Sequence, residues 1–282
     1  MISIKIQGGL GNQMSQIFTT IAYFIKYKIP FRFPSSKKDE VSPYGDIYKR
    51  PLYFDNFLKK LKPFLINHDF SDYNRYNEQG HHYTEIPKFD NNTILIGYFQ
   101  PYQYFEEYKD TILKFIDFET NKKNTIKKID NSFENTISMH FRIGDYKHNP
   151  DAHPILNLEY YKLAIQDIID KTQKNVYNII YFFEKKDIEK IKINIKILQK
   201  KFPDINFISC QDNLQDWEEM IYMSLCTHNI IANSSFSWWG AYLNENKNKI
   251  IYYPDIWFGN CMTHLNIDDL FPKKWNKILI NK

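Results

Sequence analysis

Apolar and polar positions alternate in two different ways along this chain, and the change of period marks its elements. Ile2, Ile4 and Ile6 alternate with polar neighbours, which predicts a strand with one apolar face. Gly8-Gly9-Leu10-Gly11 then turns the chain, and Met14, Ile17, Phe18, Ile21 and Ile25 recur at helical spacing. Residues 34–92 are rich in Pro, Tyr, Asn and Asp and show no period that assigns them. Ile94–Phe99 reads as a strand, Tyr102–Phe115 as a helix, and the polar run Thr120–Ser132 as a linker. After it the pattern becomes regular. Strands are expected at Thr136–Phe141, Val176–Phe183, Ile205–Ser209, Asn229–Ala232 and Lys249–Tyr253. Helices are expected between them, near Leu158–Asp170, Lys186–Lys201, Leu214–Cys226 and Phe236–Leu243. Strand and helix in alternation predict a parallel sheet covered on both faces. The expectation is a two-domain α/β protein, divided into residues 1–125 and 126–282, with ligands at the carboxyl ends of the strands.

Composition narrows the function classes. A chain of 282 residues buries a core large enough to fold without disulfides or metals. The formal net charge of +4 is spread along the sequence and gives no footprint for nucleic acid. Cys210, Cys226 and Cys261 form no CxxC, which fits a reducing compartment and offers no metal framework. No apolar run is long enough to span a bilayer, and no signal sequence opens the chain. Aromatic residues reach 17%, which suits a dense core or sugar-stacking surfaces.

Three constellations carry candidate chemistry. Gly8-Gly9-Leu10-Gly11-Asn12-Gln13 follows a strand and opens a helix, where missing side chains and free N–H groups favour close approach of an anion. A plain tight turn explains it equally. Ser138–Tyr146 places His140 and Arg142 on one side of a strand end, an arrangement suited to a diphosphate or carboxylate. A structural pair between Arg142 and Asp145 is the alternative. In Asn233-Ser234-Ser235-Phe236-Ser237-Trp238-Trp239-Gly240 a buried strand ends and small polar groups cap a helix, offering phosphate donors or ordinary capping. Glu219 lies on a helix with Asp216 and Glu218. Its carboxylate has the valence to accept guanine N1–H and the 2-amino group, while a solvated acidic face accounts for the same residues. His81-His82 reads as a surface pair, and the absence of Asp-x-Asp removes the usual metal clamp for a sugar diphosphate.

In order, Gly-Gly-Leu-Gly-Asn-Gln, His-Phe-Arg-Ile-Gly-Asp-Tyr and Asn-Ser-Ser-Phe-Ser-Trp-Trp-Gly resemble the α-1,2-fucosyltransferase family, glycosyltransferase family 11. Ile96–Gln100 with Tyr104-Phe105, and Met223–Cys226, look like it too. The resemblance runs from residue 5 to about residue 258. It implies a GT-B fold, two Rossmann-like domains facing across a cleft. The 1–125 domain would be acceptor-side and the 126–282 domain would bind the GDP-sugar. It implies inverting transfer of L-fucose from GDP-fucose to the 2-hydroxyl of a terminal galactose in a glycan, with GDP-fucose as co-substrate, no cofactor and no obligatory metal. By the same resemblance, Asn12 falls near the reacting sugars, with Gly9 and Gly11 in the donor loop. His140 and Arg142 hold GDP, Glu219 reads guanine, and Asn233, Ser234, Ser235 and Phe236 surround the diphosphate and nucleoside. Arg142, Asn12 and Asp145 are the catalytic candidates, with Asp145, Asp151 and His153 as possible bases.

The sequence departs from the family in three places. Ile143 replaces a second Arg, for which Lys147 is the nearest substitute. Tyr181-Phe182-Phe183-Glu184 stands where relatives show Phe-Ser-Asp-Asp. The stem and membrane anchor of eukaryotic relatives are not in the sequence, so a cytoplasmic enzyme is expected, peripheral to a membrane carrying the acceptor. The rival readings are another GDP-sugar transferase, a protein O-fucosyltransferase, or a non-catalytic sugar-binding relative.

Overall fold

The computed structural model describes residues 1–36, 40–41, 47–48, 50–130 and 132–280. It divides into two compact units, Met1–Lys123 with Leu265–Pro272, and Asn124–His264 with Lys273–Lys282. Of the 34–92 segment, positions 37–39, 42–46 and 49 lie outside the described residues.

The first unit begins with β1 (Ile2–Ile4), whose residues are all buried, and α1 (Leu10–Tyr27). Between them Gly8 adopts φ +78, and a Cβ there would collide with the Asn12 side chain, so the turn requires glycine. Short pieces follow: β2 (Phe33–Pro34), β3 (Glu40–Val41), β4 (Ile47–Tyr48), β5 (Leu65–Ile66) and β6 (Asn74–Asn77). β7 (Thr93–Ile96) lies between β1 and β6 in a parallel sheet, β2 pairs with β5, and a bridge from Ile2 to Phe31 joins the β1 edge. The predicted helix Tyr102–Phe115 is instead two 3₁₀ turns, Tyr102–Tyr104 and Glu106–Tyr108, followed by α2 (Lys109–Phe115). The break lies at Phe105, φ −138, and lets the adjacent Tyr104 and Phe105 both turn inward, against Phe99 and Phe18. The predicted linker is also corrected. α3 (Phe118–Ile126) carries helix into it, because Phe118, Asn121 and Thr125 are buried along one side of an otherwise polar run.

The second unit follows the predicted alternation. β8 (Thr136–His140), α4 (Leu158–Thr172), β9 (Asn178–Phe182), α5 (Ile188–Lys201), β10 (Asn206–Ser209), α6 (Asp216–Leu225), β11 (His228–Ile230), α7 (Ser235–Tyr242), β12 (Ile251–Pro254) and β13 (Asn276–Ile278) succeed one another. The six strands are all parallel, in the order β10-β9-β8-β11-β12-β13. Counted within the unit this is 3-2-1-4-5-6, the doubly wound order. Connections leave β8 toward β9 on one side and return to β11 on the other. The carboxyl ends of β8 and β11 are therefore the topological switch point, where such sheets bind ligands.

Packing fixes the frame around that point. β8 is buried along its whole length. The hydroxyl of Tyr160 on α4 donates to the carbonyls of Ile231 (2.6 Å) and Tyr252 (3.1 Å), tying the helix to β12 and to the residue that follows β11. Gly240 lets α6 and α7 approach, since a Cβ there would stand 2.7 Å from Met223 Cβ. Trp238 stacks on Tyr242 with ring centroids 4.7 Å apart, and Trp239 is fully buried. The Trp-Trp-Gly segment is thus a packing device.

Candidate active site

At the switch point two loops leave neighbouring strands. The first follows β8. Phe141 N still donates to Phe182 O, and the chain then tightens into a 3₁₀ turn, Gly144–His148. Gly144, at φ +30, donates its N–H to Asp187 Oδ2 (2.8 Å), and a side chain on it would strike the Glu184 carboxylate. The regular strand thus ends at His140, and Arg142 stands in the loop beyond it.

Arg142 is mostly buried and held on three sides. It donates from Nη1 to Glu184 Oε1 (2.5 Å) and from Nη2 to Asp145 Oδ1, and its guanidinium carbon lies 4.9 Å from the Tyr146 ring centroid. Burial works against its charge, but Tyr146, Asp145 and Glu184 outweigh that and raise its pKa. Glu184 Oε2 also accepts an ion pair from Lys186 (2.8 Å). Two cations and two carboxylates alternate here. Lys147, the expected substitute for a second Arg, is engaged instead by the buried Asp187. Ile143 itself points into the apolar core with Phe141 and Tyr161, so residue 143 gives up a cation in exchange for packing.

The second loop follows β11. Asn233 is buried and donates to Pro154 O (2.9 Å) and Trp257 O (3.3 Å), while its own carbonyl accepts the Tyr146 hydroxyl (2.9 Å). Ser234 caps α7 by accepting the N–H of Phe236 (3.3 Å). Ser235 and Phe236 are half-buried in the first turn. The Phe236 ring lies 5.5 Å from that of His140. Burial, then the charge of Arg142, pushes His140 down to about 3, so its imidazole is neutral at working pH. His140 Nδ1, Arg142 Nε and Asn233 Oδ1 are buried without hydrogen-bond partners among the described residues. These three polar atoms belong to the end of β8 and to the two loops that leave the switch point.

The acids of α6 separate by environment. Glu218 is buried, bonds Lys128 (2.6 Å) and closes a capping box with Gln215, so it is no part of a solvated face. Glu219 is held largely out of water. Burial, then Asp216, raises it to about 7, with Lys185 opposing. His153 stacks on Tyr146 at 4.8 Å and is lowered by burial.

Asn12 belongs to the first unit. Gln100 Nε2 donates to its Oδ1 (2.8 Å), while Gln13 Nε2 bonds the carbonyls of Gly8 and Pro51. Gly9 is the N-cap of α1 and offers no side-chain cap, and Gly11 is buried in the first turn. The structure therefore groups His140, Arg142, Asp145, Asn233, Ser234, Ser235 and Phe236 at the carboxyl ends of the two central strands, and places Asn12, Gly9 and Gly11 in the other unit. Sequence reasoning missed the contacts that Tyr146, Asp187 and Glu184 make with Arg142, Asn233, Gly144 and Lys147. The signal present for Glu184 was its place just after a buried strand beside β8, where Arg142 also stands. Among the described residues no group of three His, Cys, Asp or Glu side chains converges as a metal site.

A doubly wound parallel sheet with polar side chains on the loops beyond its switch point defines the α/β class of this protein. The whole chain is GT-B-type. It superposes on an E. coli ADP-heptose LPS heptosyltransferase II with TM-score 0.50 over 98% of this chain and 89% of that one, at 12% identity. The chain belongs to glycosyl transferase family 11, whose pattern matches residues 1–279. It is 36% identical over 188 residues to the O-antigen biosynthesis glycosyltransferase WbnK of E. coli, covering 63% of this chain and 60% of that protein. It is 27% identical to an E. coli alpha-1,2-colitosyltransferase over 99% of both chains. The family resemblance read from the motifs is thereby borne out, and the protein is a glycosyltransferase. Among the described residues no helix is long and apolar enough to cross a membrane.

Proposed function

We propose that this glycosyltransferase moves L-fucose from GDP-fucose to the 2-hydroxyl of a terminal galactose, with inversion. The observation that carries the reading is that His140 Nδ1, Arg142 Nε and Asn233 Oδ1, all buried and unpartnered among the described residues, belong to the end of β8 and the two loops at the switch point, beside the Ser234-capped start of α7. Such a site suits a diphosphate: planar guanidinium donors on one side and helix N–H groups on the other.

As GDP leaves, negative charge grows on the β-phosphate. Donors fixed beforehand gain strength with that charge, which turns binding into rate. Arg142 is already surrounded by two carboxylates, so donor entry requires one to give way. Glu184 has a second partner in Lys186 and is the one able to yield. Of the base candidates, Asp145 is held by Arg142 and Asp151 is exposed. His153, neutral through burial and outside any ion pair, is the best placed to accept the hydroxyl proton.

The full-length match to an alpha-1,2-colitosyltransferase supports a second reading that keeps the linkage and changes the sugar. The test is GDP release from GDP-fucose and from GDP-colitose, each with galactose-terminated oligosaccharides. Acceptor-dependent release from GDP-fucose supports the first reading, and release from GDP-colitose alone supports the second. Tight binding of both with no turnover would leave a sugar-binding relative.

A further inference from the structure

The outer face of α5 has no part in the site. Ile191, Ile195 and Leu198 turn one side of this helix into the core beneath the sheet. At 100° per residue, Ile193 and Ile197 fall on the opposite side, one turn apart. They are 60% and 45% exposed. Lys190, Lys196, Lys200 and Lys201 frame them on the same outward side. The one acid of the helix, Glu189, is bonded to Lys192 (2.9 Å). Lys190, Lys196 and Lys200 have no carboxylate partner among the described residues, and Lys201 lies over the Phe202 ring (5.6 Å). On α4, in the same core layer, Lys162 and Lys171 are each paired, with Glu159 (3.3 Å) and Asp167 (3.0 Å).

Outward isoleucines ringed by unneutralised lysines match the two halves of an anionic lipid surface. Ammonium groups sit at the phosphate level, and the apolar pair reaches the acyl boundary. Two copies of this face would oppose like charges, and a nucleic acid would leave the isoleucines in water. We propose that the outer face of α5 docks this protein on an anionic phospholipid bilayer, through Lys190, Lys196, Lys200 and Lys201 with Ile193 and Ile197. The docking holds whichever sugar is transferred, and its readout needs no turnover.

The experiment is co-sedimentation of the full chain with vesicles of phosphatidylcholine alone and of phosphatidylcholine with phosphatidylglycerol. Each lysine near an anionic surface strengthens binding by on the order of fivefold. Binding to the anionic vesicles should therefore exceed binding to neutral ones by at least about tenfold, and should fall with added salt. Lys190→Glu/Lys196→Glu/Lys200→Glu should abolish it, and Ile193→Ser/Ile197→Ser should weaken it at constant charge. Lys59→Glu/Lys60→Glu/Lys62→Glu in the first unit, an equal change of net charge, should leave most of it. Circular dichroism and donor binding should match the parent in every variant. Equal binding to both vesicle types, binding to neither, equal loss in the first-unit control, or a dimer in sedimentation velocity that the α5 variants dissolve would overturn the proposal.

Discussion

Donor affinity should be set by the protonation of Glu219, and the size of the effect follows from its surroundings. Burial holds this carboxyl at about 7 in the unliganded protein. If the ionised form accepts guanine N1–H and the 2-amino group, binding returns its pKa toward the ordinary carboxylate value, about 4.3. The sign follows. Affinity is complete above the free pKa and is lost as pH falls through it, because the protonated acid must first give up its proton. Between about pH 8 and about pH 5 the dissociation constant should rise roughly 75-fold, about 2.5 kcal/mol. Calorimetric titration with GDP-fucose is the suitable assay, since a sugar diphosphate has no phosphate ionisation in this window. His140 stays neutral down to about 3 and does not interfere. His153 gains a proton as pH falls, which favours an anion and so opposes the expected trend. Glu219→Gln should flatten the profile. It should also weaken binding at high pH by about 10- to 100-fold, because an amide presents one acceptor to two donors. A parent protein whose affinity is level across the window, or which binds ADP and UDP as well as GDP, would refute the assignment.

Arg142→Lys keeps the charge and loses the planar fork, so turnover should fall by about 10²–10³ with the melting temperature nearly unchanged; parent-like turnover defeats the role. Tyr160→Phe removes the donor to the carbonyls of Ile231 and Tyr252 and should cost about 1–2 kcal/mol in urea unfolding. An unchanged midpoint would show that α4 is held by packing alone. Fucose transfer should survive excess EDTA nearly undiminished, because Arg142 and the first turn of α7 supply charge stabilisation from the protein. Activity lost to EDTA and restored by Mn²⁺ would overturn that expectation.

The alternation of strand and helix in the second unit, and the motifs at its loop positions, are properties of the sequence alone. Period-two and period-3.6 patterns are local, and β8, Thr-Ile-Ser-Met-His, reads as a strand from its alternation although both of its faces are buried. The family follows from the same short segments. The local pattern does not show β13, three residues ending in Ile278, which gains its place only by pairing with β12. It shows neither the break at Phe105 nor the helical start of the linker run, since both depend on which aromatic or polar side chains find a buried neighbour. The environment of each charge was decided by tertiary structure. Glu218 and Glu219 are adjacent in sequence, yet one is locked to Lys128 and the other is raised to about 7 by burial and by Asp216. Arg142 meets Glu184 across 42 residues, and Lys147 meets Asp187 across 40. The sequence by itself determined which chemical groups stand at the strand ends, because a strand's direction and period are local. Which of them are paired, neutral or left open for a ligand was decided only where β8, β9 and β11 lie side by side, because desolvation and ion pairing depend on distances that the chain closes only on folding.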